Sequence, residues 1–529
     1  MEQLGTNNTP PDKPNGDATG GTHGGGSANV SYAGATIIST DKEVTDETYS
    51  STKGGENALL ISGGKVGLDA VTVEKTGDDS GDNSDFYGTN AAILAYNDAK
   101  VTIADASIHT DGSHANAVFA YGEAVIDISD SSIATSSNNS GGIMVTGGGT
   151  INASNLTIST EGNSSAPIRS DRGGGTINVE GGDYISQGVG SPVIYSTADI
   201  SVKKATLTSL ASEGVVIEGK NSVALENTTL TATNNKLNGQ SETYKTIFVY
   251  QSMSGDASEG TGTFTAKNSL ITSNNGDVFF VTNTDALIDL TGNKFVQNDE
   301  NGAFLRASMS AWGSAGNNGG KVTLNATDQE INGDIAIDSI STLKMKMDHS
   351  YFKGAFTGDG AVNLTVSEDS IVVLTADSHI TSLTNADTAN QNIYSNGYKL
   401  YVGGTEVAVN TEVAPESFLE FDESDLVEEA IVVAETTTST PKNSSADFPT
   451  WGYFAISGGI IAAIIALVVV LVIIKKKGKG GISPQVPQAS QDIPNIADAM
   501  GMSTPNTGQT IASEEGQTEQ PKNPPVFGN

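Results

Sequence analysis

A repeat with a period of about 25 residues constrains this chain more than any other feature of its sequence. Similar blocks begin at Asn57, Asn90, Asn116, Gly141 and Ser191, and each contains three short runs of alternating apolar and polar residues. In the second block these runs are AAILA, KVTIA and ASIHT. Alternation with a period of two predicts strands that bury one face, so each block predicts a coil of three strands. One coil cannot bury its apolar face alone, and neighbouring coils must therefore stack.

Stacked coils of three strands predict an all-β fold, a right-handed parallel β-helix (solenoid). The predicted fold class is completed by a C-terminal single transmembrane α-helix. A β-sandwich is the alternative, but it explains neither the constant interval nor the three runs per block. One apolar ladder along the predicted core consists of Val118, Ile143, Ile168 and Val193 at intervals of 25, then Val216, Ile247, Phe279, Phe304 and Ile335 at looser intervals.

The composition excludes several classes of protein. The formal net charge of −35 repels phosphates and anionic lipid headgroups, so we expect no nucleic-acid partner. The chain has no cysteine, which excludes disulfides, cysteine-containing zinc fingers and thiol catalysis. Aromatic residues make up only 6% of the chain, fewer than a compact α/β enzyme normally contains. The recurring apolar runs argue against disorder in the middle of the chain.

Residues 452–474 contain no charged side chain and are long enough to cross a bilayer as one helix, which needs about 20 apolar residues. A buried core helix is the alternative. The segment is flanked by Trp451 and Tyr453 on one side and by Lys475, Lys476 and Lys477 on the other. The positive-inside rule therefore predicts a single-pass plasma-membrane protein with its N-terminus outside and its C-terminus in the cytoplasm. Export of residues 1–450 requires a signal, yet the first 21 residues contain no apolar h-region.

Changes in composition divide the chain into five predicted segments. They are a disordered N-terminal segment (1–29), the β-helix ectodomain (30–403), an acidic and then Ser/Thr/Pro-rich stalk (404–450), the transmembrane helix (451–474) and a disordered cytoplasmic tail (475–529). The stalk would lift the rod off the membrane.

The segments GDNSDFYGTNAAILA (81–95) and DGSHANAVFAYG (111–122) resemble the pectate-lyase-like β-helix repeats of adhesin-like surface proteins, which occur in gut bacteria and in mucosal protists such as trichomonads. The resemblance covers roughly residues 55–340. It implies attachment to a host cell-surface protein or glycan. The alternative is a membrane-tethered polysaccharide lyase or glycoside hydrolase of the same fold, and the resemblance implies clustered Asp ligands for calcium and a Lys or Arg base in such an enzyme.

Arginine is scarce, and this scarcity marks one candidate site for catalysis. Arg169 and Arg172 flank Asp171 in PIRSDRGGG, and Arg306 is the third arginine of the chain. A solvated ion cluster on a turn is the simpler interpretation, since exposed ion pairs contribute little. No pair of carboxylates stands out as an acid and a base. We therefore predict no catalytic residues and a non-enzymatic protein.

Two insertions offer a more promising contact surface. Residues 251–262 and 307–320 follow the first strand of their coils, so they should project from one edge of the rod about two coils apart. An exposed aromatic side chain on such a polar loop suits contact with a sugar or a partner protein, although Trp312 could equally pack back onto the rod. The predicted ligand-binding residues are Trp312, Met309, Met253, Phe86 and Tyr87.

The loop TGDDSGDNSDFYG places Asp79, Asp82 and Asp85 three residues apart. Hard cations favour several carboxylate oxygens from one flexible loop, so calcium is the one cofactor that we consider, with a solvated acidic turn as the alternative. His109 and His114 lie near each other, but no HExxH motif or second cluster accompanies them. We interpret both histidines as turn residues rather than metal ligands.

Small residues lie near the outer end of the predicted transmembrane helix, at Ala455, Ser457, Gly458 and Gly459. Glycine costs a helix about 1 kcal/mol relative to alanine, so two adjacent glycines loosen the backbone there. This pattern predicts a rhomboid-type intramembrane protease as a partner and a shed ectodomain. Helix–helix packing through small residues four apart is the alternative.

Overall fold

The computed structural model describes residues 30–238 and 241–426. Three predicted segments lie outside the described residues: 1–29, the transmembrane helix with its flanking aromatic and lysine residues and its cleavage region, and the cytoplasmic tail. About half of the predicted stalk, residues 427–450, also lies outside them. Within the described part of the chain, no helix is both long enough and apolar enough to span a bilayer.

The described residues form an all-β structure in which the strands of successive coils pair in parallel. The first strands of the coils build one 13-stranded sheet whose order follows the chain, and we call it the first-strand sheet. Its strands are Gly34–Ile38, Asn57–Ile61, Ile93–Ala95, Val118–Tyr121, Ile143–Thr146, Ile168–Ser170, Ile194–Ser196, Val215–Glu218, Lys245–Tyr250, Asp277–Thr282, Leu305–Ala307, Ile335–Ile337 and Phe356–Thr357.

The second and third strands of the coils together form a 22-stranded sheet in the described chain. Each strand pairs in parallel with its equivalent one coil away, as Lys100–Ala104 pairs with Val125–Ser129. The members are Lys42–Thr45, Thr48–Ser51, Lys65–Asp69, Thr72–Lys75, Lys100–Ala104, Ser107–Thr110, Val125–Ser129, Ser132–Thr135, Gly149–Thr160, Gly175–Ser186, Asp199–Lys203, Thr206–Ser209, Ser222–Glu226, Thr229–Ala232, Thr261–Lys267, Leu270–Ser273, Thr284–Thr291, Lys294–Gln297, Gly320–Thr327, Thr342–Asp348, Ala361–Val366 and Ser382–Asn385. This topology is consistent with a β-helix solenoid.

The last coils are less regular. A four-stranded parallel sheet contains Glu330–Asn332, Tyr351–Gly354, Ile371–Leu374 and Ile393–Tyr394, and a three-stranded sheet contains Ser378–Ile380, Leu400–Val402 and Thr405–Val407. The final two strands pair antiparallel, which ends the parallel stack. The strand Thr405–Val407 lies within the segment predicted as the stalk, residues 404–450. The helices of the described chain are Asp82–Tyr87 and the 3-10 turn Glu423–Asp425.

The corner between the second and third strands contains one residue in the left-handed conformation in coil after coil. The φ angles are 52° at Asp105, 49° at Asp130 and 52° at Asn155. Asp and Asn enter this region at lower cost than most residues, so their recurrence at this corner of the repeat has a backbone cause. The side chain of the residue after the corner can accept a hydrogen bond from the backbone of the neighbouring coil. Ser131, which follows Asp130, accepts at its Oγ from the Ala106 N–H at 3.0 Å.

The inner face of the first-strand sheet contains the predicted apolar ladder. Ile143 pairs with Val118 on one side and with Ile168 on the other, and all three side chains are 0% exposed. The predictions for Ile247, Phe279 and Ile335 are also confirmed, since these residues occupy the same ladder.

Three members of the predicted ladder are wrong by one residue. The positions in line are Ile194, Val215 and Leu305 rather than Val193, Val216 and Phe304. The first error arises because Val145 pairs with Ser170 but Gly149 pairs with Gly175, so the turn between them is one residue longer than in the preceding coil. Val216 faces the outer side of the sheet, because a shift of one residue within a strand moves a side chain to the opposite face. Val193 and Phe304 each lie one residue before a first strand and still belong to the inner core.

Candidate functional site

From the second to the eleventh strand, the outer face of the first-strand sheet is covered rather than open to solvent. Its central row consists of Leu60, Leu94, Phe119, Met144, Arg169, Tyr195, Val216, Phe248, Phe280 and Arg306, one residue from each successive strand. All of these are buried except Tyr195 and Arg306, which are half-buried. Two apolar stretches therefore flank Arg169 and Tyr195, and segments inserted between strands cover them.

The helix Asp82–Tyr87 covers the first apolar stretch. The Thr146 hydroxyl donates to the Phe86 carbonyl oxygen at 2.7 Å, and the Tyr87 ring meets the Tyr121 ring edge-on with 5.5 Å between centroids. These contacts come from two different first strands, so they fix both the position and the rotation of this short helix on the sheet. Tyr87 therefore packs on Tyr121, whereas Phe86 lies beside Arg169 in the middle of the central row.

Arg172 joins this helix to the first of the two predicted insertions. Its guanidinium carbon lies 3.7 Å above the centroid of the Phe86 ring, a cation–π contact. Its Nε donates to the Asp256 carboxylate, and its Nη1 lies 3.7 Å from Asp82 Oδ2. Arg172 thus holds the helix Asp82–Tyr87 against the insertion that follows the strand Lys245–Tyr250, across the intervening coils.

A cavity of about 60 Å³ lies beside this junction, and Phe86 and Tyr195 are among the residues that line it. Arg169, Asp171 and Asp256 supply its charged groups. Arg169 Nη2 donates to Asp171 Oδ2 at 3.2 Å, and its Nη1 lies 3.5 Å from a backbone carbonyl. A guanidinium carries five N–H groups, more than these two partners use, so the buried Arg169 can present further donors to a ligand in the cavity.

The Asp171 carboxylate has an unusual proton affinity for an aspartate. Burial raises its pKa from 3.8 to about 6, even though the charge of Arg169 and a hydrogen bond from the Arg172 backbone act in the opposite direction. The nearby Asp256 carboxylate adds to the rise. Asp171 is therefore partly protonated in mildly acidic solution, where an exposed aspartate is almost fully ionised.

A second buried carboxylate, Glu218, lies on the same face. It accepts hydrogen bonds from the hydroxyls of Tyr195 at 2.5 Å, Tyr250 at 3.1 Å and Ser252. Burial raises the pKa of Glu218, and these hydroxyl bonds offset only part of the rise. Glu218 is not among the site residues predicted from the sequence. The available signal is a Glu that ends the otherwise apolar run VVIE of a first strand.

The three aspartates predicted as calcium ligands have three separate partners. Asp79 accepts from the Ser84 hydroxyl at 2.5 Å, Asp82 faces Arg172, and Asp85 bonds His114. Among residues 30–238 and 241–426, no group of three or more His, Cys, Asp or Glu side chains is arranged to hold a metal ion. The structure does not bring these carboxylates together.

The two histidines bind carboxylates across neighbouring strands or turns. His109 Nδ1 lies 3.0 Å from Glu74 Oε2. His114 Nδ1 lies 2.9 Å from both oxygens of the buried Asp85. Burial alone would raise the pKa of Asp85, but the His114 hydrogen bond and the charge of Arg169 outweigh it and hold this pKa below its usual range.

The predicted insertions lie where the sequence places them. They follow the strands Lys245–Tyr250 and Leu305–Ala307, which are two positions apart in the first-strand sheet. Trp312 is half-buried with its ring 5.1 Å from that of Tyr250, so it packs back onto the sheet in part. Met309 is 54% exposed and Met253 is half-buried.

The predicted contact residues thus fall into two groups on one face. Phe86 lines the Arg169 cavity, whereas Met309 and Trp312 line a smaller cavity of about 30 Å³ with Lys245 and Phe280.

Comparison with protein-family models, with curated proteins and with solved structures finds no match to the chain. The residues themselves must therefore carry any functional argument.

Proposed function

We propose that the protein is a non-enzymatic adhesin that binds a neutral glycan at the Arg169 cavity. The observation that carries this proposal is the combination of Phe86 and Tyr195 as walls with Arg169, Asp171 and Asp256 as polar groups around one small opening. Sugars present apolar C–H faces, which suit aromatic walls, and hydroxyls, which both donate and accept hydrogen bonds. A largely apolar opening with a few fixed polar groups is the usual form of a ligand site.

The charges of the site favour a neutral ligand over an acidic one. Asp171, Asp256 and the nearby Glu218 outnumber the two guanidiniums of Arg169 and Arg172, and the whole chain carries −35. An anionic sugar would meet repulsion both at long range and in the cavity. The volume of about 60 Å³ admits the edge of one terminal sugar rather than a chain.

The proposed setting is the cell surface. In this proposal the described coils form a right-handed parallel β-helix, in keeping with the handedness of parallel strand connections. Residues 451–474 anchor it in the plasma membrane with residues 1–450 outside, where the partner is a host cell-surface glycan or protein. The alternating repeat, the apolar segment and the four lysines after it support this arrangement.

The test uses the full chain displayed on cells and a glycan array with matched neutral and acidic members. Phe86→Ala should reduce binding at least tenfold, because it removes one wall of the cavity. Tyr87→Ala is the control, since it lies on the same helix but packs on Tyr121 instead. Equal binding by the parent and Phe86→Ala, with surface display confirmed, contradicts the proposed site.

A polysaccharide lyase or glycoside hydrolase is the second candidate, and the raised pKa of Asp171 favours it. An acid that titrates at about 6 can transfer protons under physiological conditions. Release of unsaturated or reducing ends from polysaccharides by the parent, and its loss in Asp171→Asn, would establish this alternative. We expect no release by either protein.

Release of the ectodomain by an intramembrane protease belongs to the same proposal. Replacing Gly458 and Gly459 with Leu stiffens the helix at the predicted cleavage region, so less ectodomain should appear in the medium. Undiminished shedding would favour helix packing as the role of these glycines.

A further inference from the structure

The described chain does not leave the solenoid at its last coil. After the antiparallel strand Thr405–Val407, residues 408–426, which we call the strap, run back along the flank toward earlier coils. The Tyr351 hydroxyl donates to the Pro415 carbonyl oxygen at 3.1 Å, and the Phe418 ring centroid lies 5.0 Å from that of His349. Further on, Glu423 Oε1 lies 2.9 Å from Lys294 Nζ. As the strap advances, its partners come from progressively earlier coils.

The strap crosses the column of left-handed corner residues. A groove of about 460 Å³ is lined on the solenoid side by Asn268, Gly292, Asp328 and His349, which are the corner residues of four successive coils. Phe418, Leu419, Glu420 and Asp422 line it on the strap side. Within residues 408–426, the backbone pairs with the solenoid only through the bridge between Asn410 and Tyr394. Side chains therefore hold the rest of the strap.

These side-chain contacts are weak beside those of the coils. The strap carries Glu412, Glu416, Glu420, Asp422 and Glu423 on a protein that is itself strongly acidic. Its ion pair with Lys294 is open to water, with side-chain exposures of 45% and 64%, and such exposed pairs contribute little to stability. Phe418 is 41% exposed. Segments with few buried contacts open at the lowest free energy.

We propose that the strap is a releasable tether, which peels from the flank under load before any coil opens. The strap points toward the N-terminal coils, so a pull on its C-terminal end away from those coils loads one contact at a time, first at Lys294 and last at Tyr351. Peeling exposes the column of left-handed corner residues. It also lengthens the chain between the last coil and residue 426 by on the order of 50 Å, at roughly 3.4 Å per freed residue. The inference rests on the proposed function only in that an anchored adhesin supplies the load.

The test stretches the full chain in detergent micelles between tags at its two termini in an optical trap. The parent should show a first extension of on the order of 50 Å at a force below that which opens the coils. The chain has no native cysteine, so Lys294→Cys/Glu423→Cys can be joined by a bismaleimide. The joined protein should lose the early extension, and the same variant without the linker should extend at lower force.

Lys321→Cys/Asp285→Cys, joined in the same way, is the matched control. It replaces an exposed ion pair between neighbouring strands of the solenoid and leaves the strap free, so it should keep the early extension. A parent without an early extension, or one that persists when residues 294 and 423 are joined, overturns the proposal. Neither outcome involves a ligand, so failure here is distinguishable from failure of glycan binding.

Discussion

The two faces of the first-strand sheet show how one set of strands can serve two purposes. Ile168 and Arg169 are adjacent in the same strand, yet Ile168 lies in an apolar ladder that continues from coil to coil while Arg169 lies in a row of changing chemistry. On the inner face each rung is a nearly equivalent copy of its neighbour. On the outer face particular strand residues meet particular inserted segments, as Thr146 meets Phe86 and Glu218 meets Ser252. Repetition builds the inner face, and departures from repetition build the outer one.

The inner face should be the more sensitive to a buried charge. Ile168→Asp places an unpaired carboxylate in the ladder, and we expect a loss of about 4 kcal/mol in the free energy of unfolding. Ile37→Asp is the control, because Ile37 is 59% exposed and its replacement should cost little. Circular dichroism melts of the full chain in detergent measure both. Similar melting curves for the two variants would show that the inner and outer faces have been misassigned.

On the outer face, a buried charge already has a partner, and removing that partner should cost somewhat less. Arg169→Met leaves Asp171 buried without its cation. We expect the free energy of unfolding to fall by about 3 kcal/mol at pH 8. The loss should be smaller at pH 5, where Asp171 takes up a proton. Arg169→Met/Asp171→Asn should recover most of the stability, and the double-mutant cycle gives the coupling. A loss that is equal at both pH values and is not recovered would mean that Arg169 acts by packing alone.

Sequence periodicity predicted the inner face well, because burial repeats with the strand period and leaves a regular pattern. It placed Ile143 and Ile168 in register, and it lost the register where the turn before Gly175 gains one residue. The outer face leaves a weaker signal. Phe86 was selected from its loop, but nothing in the local sequence shows that it meets Arg172 and the Arg169 cavity. Glu218 and the strap were missed because their partners lie in other coils.

The pH dependence of stability tests the electrostatics of the outer face more finely. In the unfolded chain Asp171 keeps an ordinary pKa near 3.8, whereas burial raises it to about 6 in the fold. Between these values the folded chain holds a proton that the unfolded chain has lost, so this group's stabilising contribution is complete below about pH 4 and is lost as the pH rises through 6. We expect the loss in the free energy of unfolding to be about 3 kcal/mol.

Asp171→Asn removes this proton-binding group and is the natural comparison for that experiment. Chemical denaturation of the parent and the variant at several pH values between 4 and 7 should show a difference that changes with pH. A constant difference across this range would mean that Asp171 ionises in the fold as easily as it does in water.

The smallest effect on stability should come from the part of the outer face that projects into solvent. Met309 is 54% exposed in the second insertion, so Met309→Ala should change the free energy of unfolding by less than about 0.5 kcal/mol. It shares a small cavity with Trp312, and a bound glycan that extends beyond the Arg169 cavity along this face would contact both. Adhesion of displaying cells should then fall measurably while the melting curve stays unchanged. Unchanged adhesion would confine the contact surface to the Arg169 cavity, whereas a large loss of stability would show that the insertion is a structural cover like the helix Asp82–Tyr87.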